Sequence, residues 1–94
     1  MTPIEKLKRE FELAAEDTNV RLGQARDHLI WNRTDGNGDK YDVYIFWLND
    51  RTGSVIMVYP SHHNLYDSSS EFLESIVEWR DSCQDEDSEY EFEG

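Results

Sequence analysis

Five carboxylates in the C-terminal third, Glu71, Glu74, Glu78, Asp81 and Asp85, recur at intervals of 3, 4, 3 and 4 residues. On a helix turning about 100° per residue, this spacing confines them to a sector of about 80° and makes one acidic ridge. The ridge is about 21 Å long and carries roughly one charge every 5 Å, of the same order as the charge spacing along a DNA strand. Such a row can meet a row of bases as phosphates do. The segment beyond it adds Glu86, Asp87, Glu89, Glu91 and Glu93, and Glu89-Tyr90-Glu91-Phe92-Glu93 alternates acid with aromatic. That period of two suits an extended segment whose rings, Tyr90 and Phe92, dock on a sheet face, add an edge strand or anchor a partner. A frayed chain end is the plainer alternative.

An amphipathic helix needs a polar outer face, and acids are common there. The sign is harder to explain that way. Like charges at i,i+4 destabilise a helix by about 0.2–0.5 kcal/mol per pair, and acids in a last turn oppose the helix dipole. The first helix, by contrast, mixes Lys with Glu.

Other residues capable of chemistry form no set. Asp35, Asn37 and Asp39 match the first three ligand positions of a calcium loop, but Lys40 replaces the required glycine and Phe46 the bidentate acid, so a turn is expected. His62 and His63 are adjacent on a loop, with no Cys or His partner at metal-ligand spacing, and His28 reads as a strand residue. Cys83, the single cysteine, falls on the inner stripe of an acidic helix, where its thiolate is disfavoured. No catalytic set, cofactor or metal site is expected. The protein reads as a non-enzyme.

Local signals define the elements that must position the ridge. Thr2-Pro3-Ile4-Glu5 pairs a capping-box Thr and Glu with proline at the first helical position. Ile4, Leu7, Phe11, Ala14 and Ala15 then form one apolar stripe, ending near Asp17-Thr18-Asn19. Residues 20–28 fit helix or strand, and a strand is expected toward Arg33. Thr34 to Asp39 is a turn, KYDVYIFWL a strand, NDRTG a turn and SVIMVYP a third strand stopped by Pro60. SHHNLYDSSS reads as a loop. Ser68 with Glu71 opens a second helix whose inner stripe is Phe72, Leu73, Ile76, Trp79 and Cys83, running to about Gln84.

The expected fold is therefore α+β in the order α-β-β-β-α, a three-stranded antiparallel meander with two helices packed on it. Residues 1–85 form the domain and 86–94 an acidic aromatic tail. In the middle strand, Tyr41, Val43, Ile45 and Trp47 point one way and Tyr44, Phe46 and Leu48 the other. Two helices cover one face. The other needs the tail, a second copy of the chain or a partner.

Composition bounds the function. With 94 residues there is room for one domain, and 37% hydrophobic content with 13% aromatic is enough for a core. The longest apolar run is far short of a membrane span, and neither a secretory signal nor a disulfide pair is present, which together point to a reducing cytoplasm. Net charge is −12. Residues 1–51 hold ten acids and eight bases, whereas residues 52–94 hold eleven acids and only Arg80. A field of that sign repels nucleic acid and anionic membrane, and draws basic proteins.

In size, element order and acidic C-terminal half, the chain resembles the small anti-CRISPR and anti-restriction inhibitors of phages and mobile elements, which act as DNA mimics. That resemblance implies an inhibitor in the cytoplasm of a bacterial host, occupying the basic nucleic-acid channel or PAM-reading surface of an effector such as a CRISPR effector or restriction nuclease. Glu71, Glu74, Glu78, Asp81, Asp85 and the tail would stand in for phosphates. Tyr59-Pro60, Ile76-Val77 and Trp79-Arg80 are similar to short motifs in the immunity proteins of nuclease colicins, which implies instead an acidic protein neutralising a basic nuclease toxin. Those proteins are all-helical, and the β-rich middle here departs from them. A third reading is a dimeric adaptor joined through the second sheet face, with its acids serving solubility.

Overall fold

A computed structural model defines the backbone of residues 2–16, 18 and 20–93, and the side chains of these up to residue 82. The chain is α+β. Helix α1 (Pro3–Ala14) is followed by five strands, β1 (Leu22–Gln24), β2 (His28–Thr34), β3 (Lys40–Asn49), β4 (Ser54–Val58) and β5 (His63–Tyr66), and then by helix α2 (Ser69–Glu93). The strands form one antiparallel sheet in the order β1-β2-β3-β4-β5.

Both helices begin as their sequences require. Thr2 Oγ1 accepts the Glu5 amide at 3.2 Å, with Pro3 in the first turn. Ser68 Oγ accepts the Glu71 amide at 3.3 Å, and the Glu71 carboxylate accepts the Asp67 N–H at 3.2 Å. Turn chemistry fixes the central register. Asp35 Oδ1 accepts the amides of Asn37 and Asp39, at 2.8 and 2.9 Å, and Gly38 takes a positive φ. The carboxylate oxygen that a calcium loop would use thus holds a β-turn together. Asn49 Oδ1 accepts the amides of Arg51 and Thr52, while Gly53, at φ 72°, returns the chain into β4.

The three-stranded meander is the centre of a larger sheet. β1 lies in the region that fits helix or strand, and pairs Leu22 with Trp31 and Gln24 with Leu29. β5 lies inside the expected loop and pairs Val55 with Tyr66 and Val58 with His63. Neither strand announces itself, because β1 has three residues and contains Gly23, while β5 is exposed at three of its four positions. Each exists because a stronger neighbour offers free backbone groups.

α2 also differs from expectation. Where the sequence reading ends this helix near Gln84 and begins a tail at residue 86, the helix continues to Glu93. The stretch from Asp81 to Glu93 contains no glycine or proline, so nothing in it stops a helix. Period-two alternation of acid and aromatic does not produce an extended segment here.

The two helices lie on the same face of the sheet. Ile4, Leu7, Phe11 and Ala15 from the first, and Phe72 and Ile76 from the second, bury against Leu29, Trp31, Val43, Ile45, Val55 and Met57. Phe11 organises this layer, edge-on to Trp31 with ring centroids 5.1 Å apart and 5.6 Å from Phe72. Trp79 closes one end with its ring 5.0 Å from Trp31. Leu73 and Trp79 are half-buried at the edge of this stripe. Cys83, assigned to the same stripe from spacing, lies outside the described side chains.

Candidate functional site: an acidic face on the C-terminal helix

α2 presents its acids as the spacing requires. Glu71, Glu74, Glu78 and Asp81 are all exposed, on the side away from the buried Phe72 and Ile76. Over these four the ridge is about 15 Å long. The side chains of Asp85, Glu86, Asp87, Glu89, Tyr90, Glu91 and Phe92 lie outside the described residues, although the helical backbone runs through all seven positions.

The four acids are not equivalent. Glu71 is part of the helix cap and sits in the first turn, where the positive end of the helix dipole favours it. Asp81 is 3.4 Å from the Arg80 guanidinium. Glu74 and Glu78, one turn apart, have no ion pair or hydrogen bond through their carboxylates among the described residues, and form the free centre of the ridge. Because the helix runs to Glu93, Asp81 and Asp85 are interior to it rather than in its last turn. Their dipole penalty is smaller than the sequence alone indicates, and the i,i+4 repulsion remains.

Arg80, the lone base of the acidic half, is turned toward the fold. Its Nη1 donates to the Ala14 carbonyl at 3.3 Å, tying α2 to the end of α1. Its Nε is buried with no hydrogen-bond partner among the described residues. The base that could neutralise the ridge is therefore mostly spent on joining the helices.

Beside the free acids lies an open concavity of about 510 Å³ lined by Ser70, Leu73, Glu74, Val77 and Glu78. Leu73 and Val77 form an apolar floor with Glu74 and Glu78 along one rim. Sequence reasoning placed Leu73 on the inner stripe, where it is half-buried, and missed that its outer side meets this concavity beside Val77. The signal was available, since Val77 and Leu73 are an i,i+4 pair about 40° and 80° off the ridge edge on a helical wheel.

The rings of the sheet face left for the tail, a second copy or a partner are elsewhere. Tyr44 and Phe46 alternate with the buried Val43 and Ile45, and therefore face the side opposite α2. One flat partner cannot touch them and the ridge together.

The remaining polar groups do not converge. His62 stacks on Tyr59 with centroids 4.3 Å apart, and its Nδ1 is 3.0 Å from Ser61 Oγ. His63 has already entered β5. His28 begins β2 and is 2.8 Å from Asp27, whose carboxyl this hydrogen bond holds below its usual pKa. A concavity of about 420 Å³ lies between Asp35, Tyr41, Tyr59, Pro60, Ser61 and His62. Burial pushes the Tyr59 hydroxyl above its ordinary pKa, an effect that the charge of Arg33 partly offsets. Among the described residues, no three His, Cys, Asp or Glu side chains are grouped to hold a metal ion, and no helix is long and apolar enough to cross a membrane. No protein-family model, curated protein or solved structure matches this chain.

Proposed function

We propose that this protein is an inhibitor that binds a basic nucleic-acid-binding protein, such as a CRISPR effector or a restriction nuclease, and occupies its nucleic-acid site with the acidic face of α2. The single observation supporting this reading is the free pair Glu74 and Glu78 at the centre of a one-sided acidic face. The base nearest that face, Arg80, is directed into the helix–helix contact. Exposed charge pairs contribute only about 0–1 kcal/mol each, so affinity also needs a buried contact. The Leu73 and Val77 floor supplies one within reach of the same partner surface.

The test is capture of basic nucleic-acid-binding proteins on the immobilised protein at two salt concentrations, with duplex DNA as competitor. The reading requires capture that weakens with salt and is displaced by DNA. The Glu74→Lys/Glu78→Lys/Asp81→Lys variant should capture nothing while keeping its circular dichroism spectrum. Equal capture by that variant refutes recognition by the acidic face.

A further inference from the structure

We infer that the sheet face opposite the helices is a self-association surface, on which a second copy of the chain packs with its strands antiparallel to the first. Both helices lie on the other face, so nothing described in the chain covers this one. It carries Ile30, Tyr44, Phe46, Ile56 and Val58, which alternate with core residues along their strands, and Leu65, which pairs with Ile56. Register lines them up in two rows across the sheet. One row runs through Ile30, Tyr44, Val58 and His63, and the next through His28, Phe46, Ile56 and Leu65. His28 packs its ring against both Tyr44 and Phe46, with centroids 5.7 and 4.9 Å away. Tyr44 remains 38% exposed and Leu65 62%. An antiparallel sheet bare on one side normally turns polar residues outward, and this one turns aliphatic and aromatic ones.

Size and charge both select a second copy. Five strands spaced by about 4.8 Å, averaging about six residues at ~3.4 Å each, give a flat footprint of about 500 Å². Protruding side chains raise the accessible area toward the ~600–1,000 Å² per partner of a stable interface. The two ends of the face carry groups that can pair. At one end, Arg21 and Lys40 stand around Asp42, whose carboxylate accepts the Asn32 amide at 2.7 Å. At the other, about 14 Å away along β3, Asp27 sits between Arg26 and His28 with its side chain 78% exposed. A two-fold axis in the sheet plane and perpendicular to the strands sets Arg21 and Lys40 of one copy over Asp27 of the other. The rotation that keeps strands parallel sets β1 of one copy over β5 of the other, so Arg21 and Asp27 do not meet. The resulting α/β/β/α stack has layers about 10 Å apart and holds the two acidic helix faces about 40 Å apart, several Debye lengths at physiological salt. The exposed acids Glu71, Glu74, Glu78 and Asp81 of the two copies thus stay far from the contact.

Sedimentation velocity of the full chain across 1–100 μM tests this. The expected species has twice the 11.1 kDa of one chain. Tyr44→Glu/Leu65→Glu, at two exposed positions, should be monomeric over the same range with an unchanged circular dichroism spectrum. Arg21→Glu should weaken association about fivefold, and adding Asp27→Arg should restore it. A wild-type chain that stays monomeric at 100 μM overturns the inference, as does an unaltered dimer in the Tyr44→Glu/Leu65→Glu variant. Failure of the double reversal to restore association rules out the antiparallel arrangement. A monomer that instead takes up an extended peptide through this face would also overturn it.

Discussion

Glu71 and Asp67 are joined by a 3.2 Å hydrogen bond from the Asp67 amide to the Glu71 carboxylate, which makes the first acid of the ridge a structural part of the helix start. Glu78, seven residues on, has no such task and stands one turn from the like-charged Glu74. Opposite stability effects follow for the same substitution. Glu78→Lys should stabilise the fold by about 0.2–0.5 kcal/mol by removing i,i+4 repulsion, whereas Glu71→Lys should destabilise it by about 1 kcal/mol through the cap and dipole. Urea unfolding midpoints of the two variants decide this. A Glu78→Lys protein that is more stable yet captures less would separate the acid's role in binding from any role in folding.

Phe11 touches both Trp31 and Phe72 and is fully buried, so it links one helix to the sheet and to the other helix. Phe11→Ala should cost about 3–5 kcal/mol, a large part of the ~5–15 kcal/mol available to a domain of this kind. Thermal unfolding should show a sharply lowered midpoint or no cooperative transition.

Gly53 combines φ 72° with contacts that an added Cβ would make at 3.4 Å to Ser69 Oγ and to the Trp47 ring. Gly53→Ala should lower stability by about 1–2 kcal/mol, chiefly from the left-handed backbone. Gly36, where an added Cβ meets nothing within 4 Å and φ is not positive, is the control and should change little.

Burial raises the pKa of Tyr59 above its ordinary 10.0. Its neutral form is therefore favoured in the folded state, and the associated stability is present below pH 10 and lost as pH rises through the higher folded-state value. Absorbance titration at alkaline pH should show a late tyrosine ionisation step. Tyr59→Phe should remove that late step and flatten the fall in stability above pH 10.

Much of the fold could be read because local chemistry and pattern agreed. The N-cap hydroxyls of Thr2 and Ser68, the Asp35 and Asn49 turns and the two-sided composition of β3 each name their own conformation and are found as the sequence implies, although the Glu71 carboxylate takes the amide of Asp67 rather than that of Ser68. The edge strands could not be read this way. Gly23 and the exposed His63-Asn64-Leu65 lack a periodic apolar signal, and they become strands by pairing with β2 and β4. The end of α2 was misplaced for a related reason. Acid and aromatic alternation looks like period two, yet residues 81–93 contain no helix breaker to enforce it.

The candidate site divides in the same way. Helical spacing determines that Glu71, Glu74, Glu78 and Asp81 share a face, because side-chain direction on a helix follows from position alone. Tertiary packing decides which of these acids are free, since the Asp67 amide and the inward turn of Arg80 depend on how α2 meets the sheet and α1. It also decides that Tyr44 and Phe46 look away from the ridge. Alternation fixes only that they oppose Val43 and Ile45, and the side chosen by the helices fixes which face stays open.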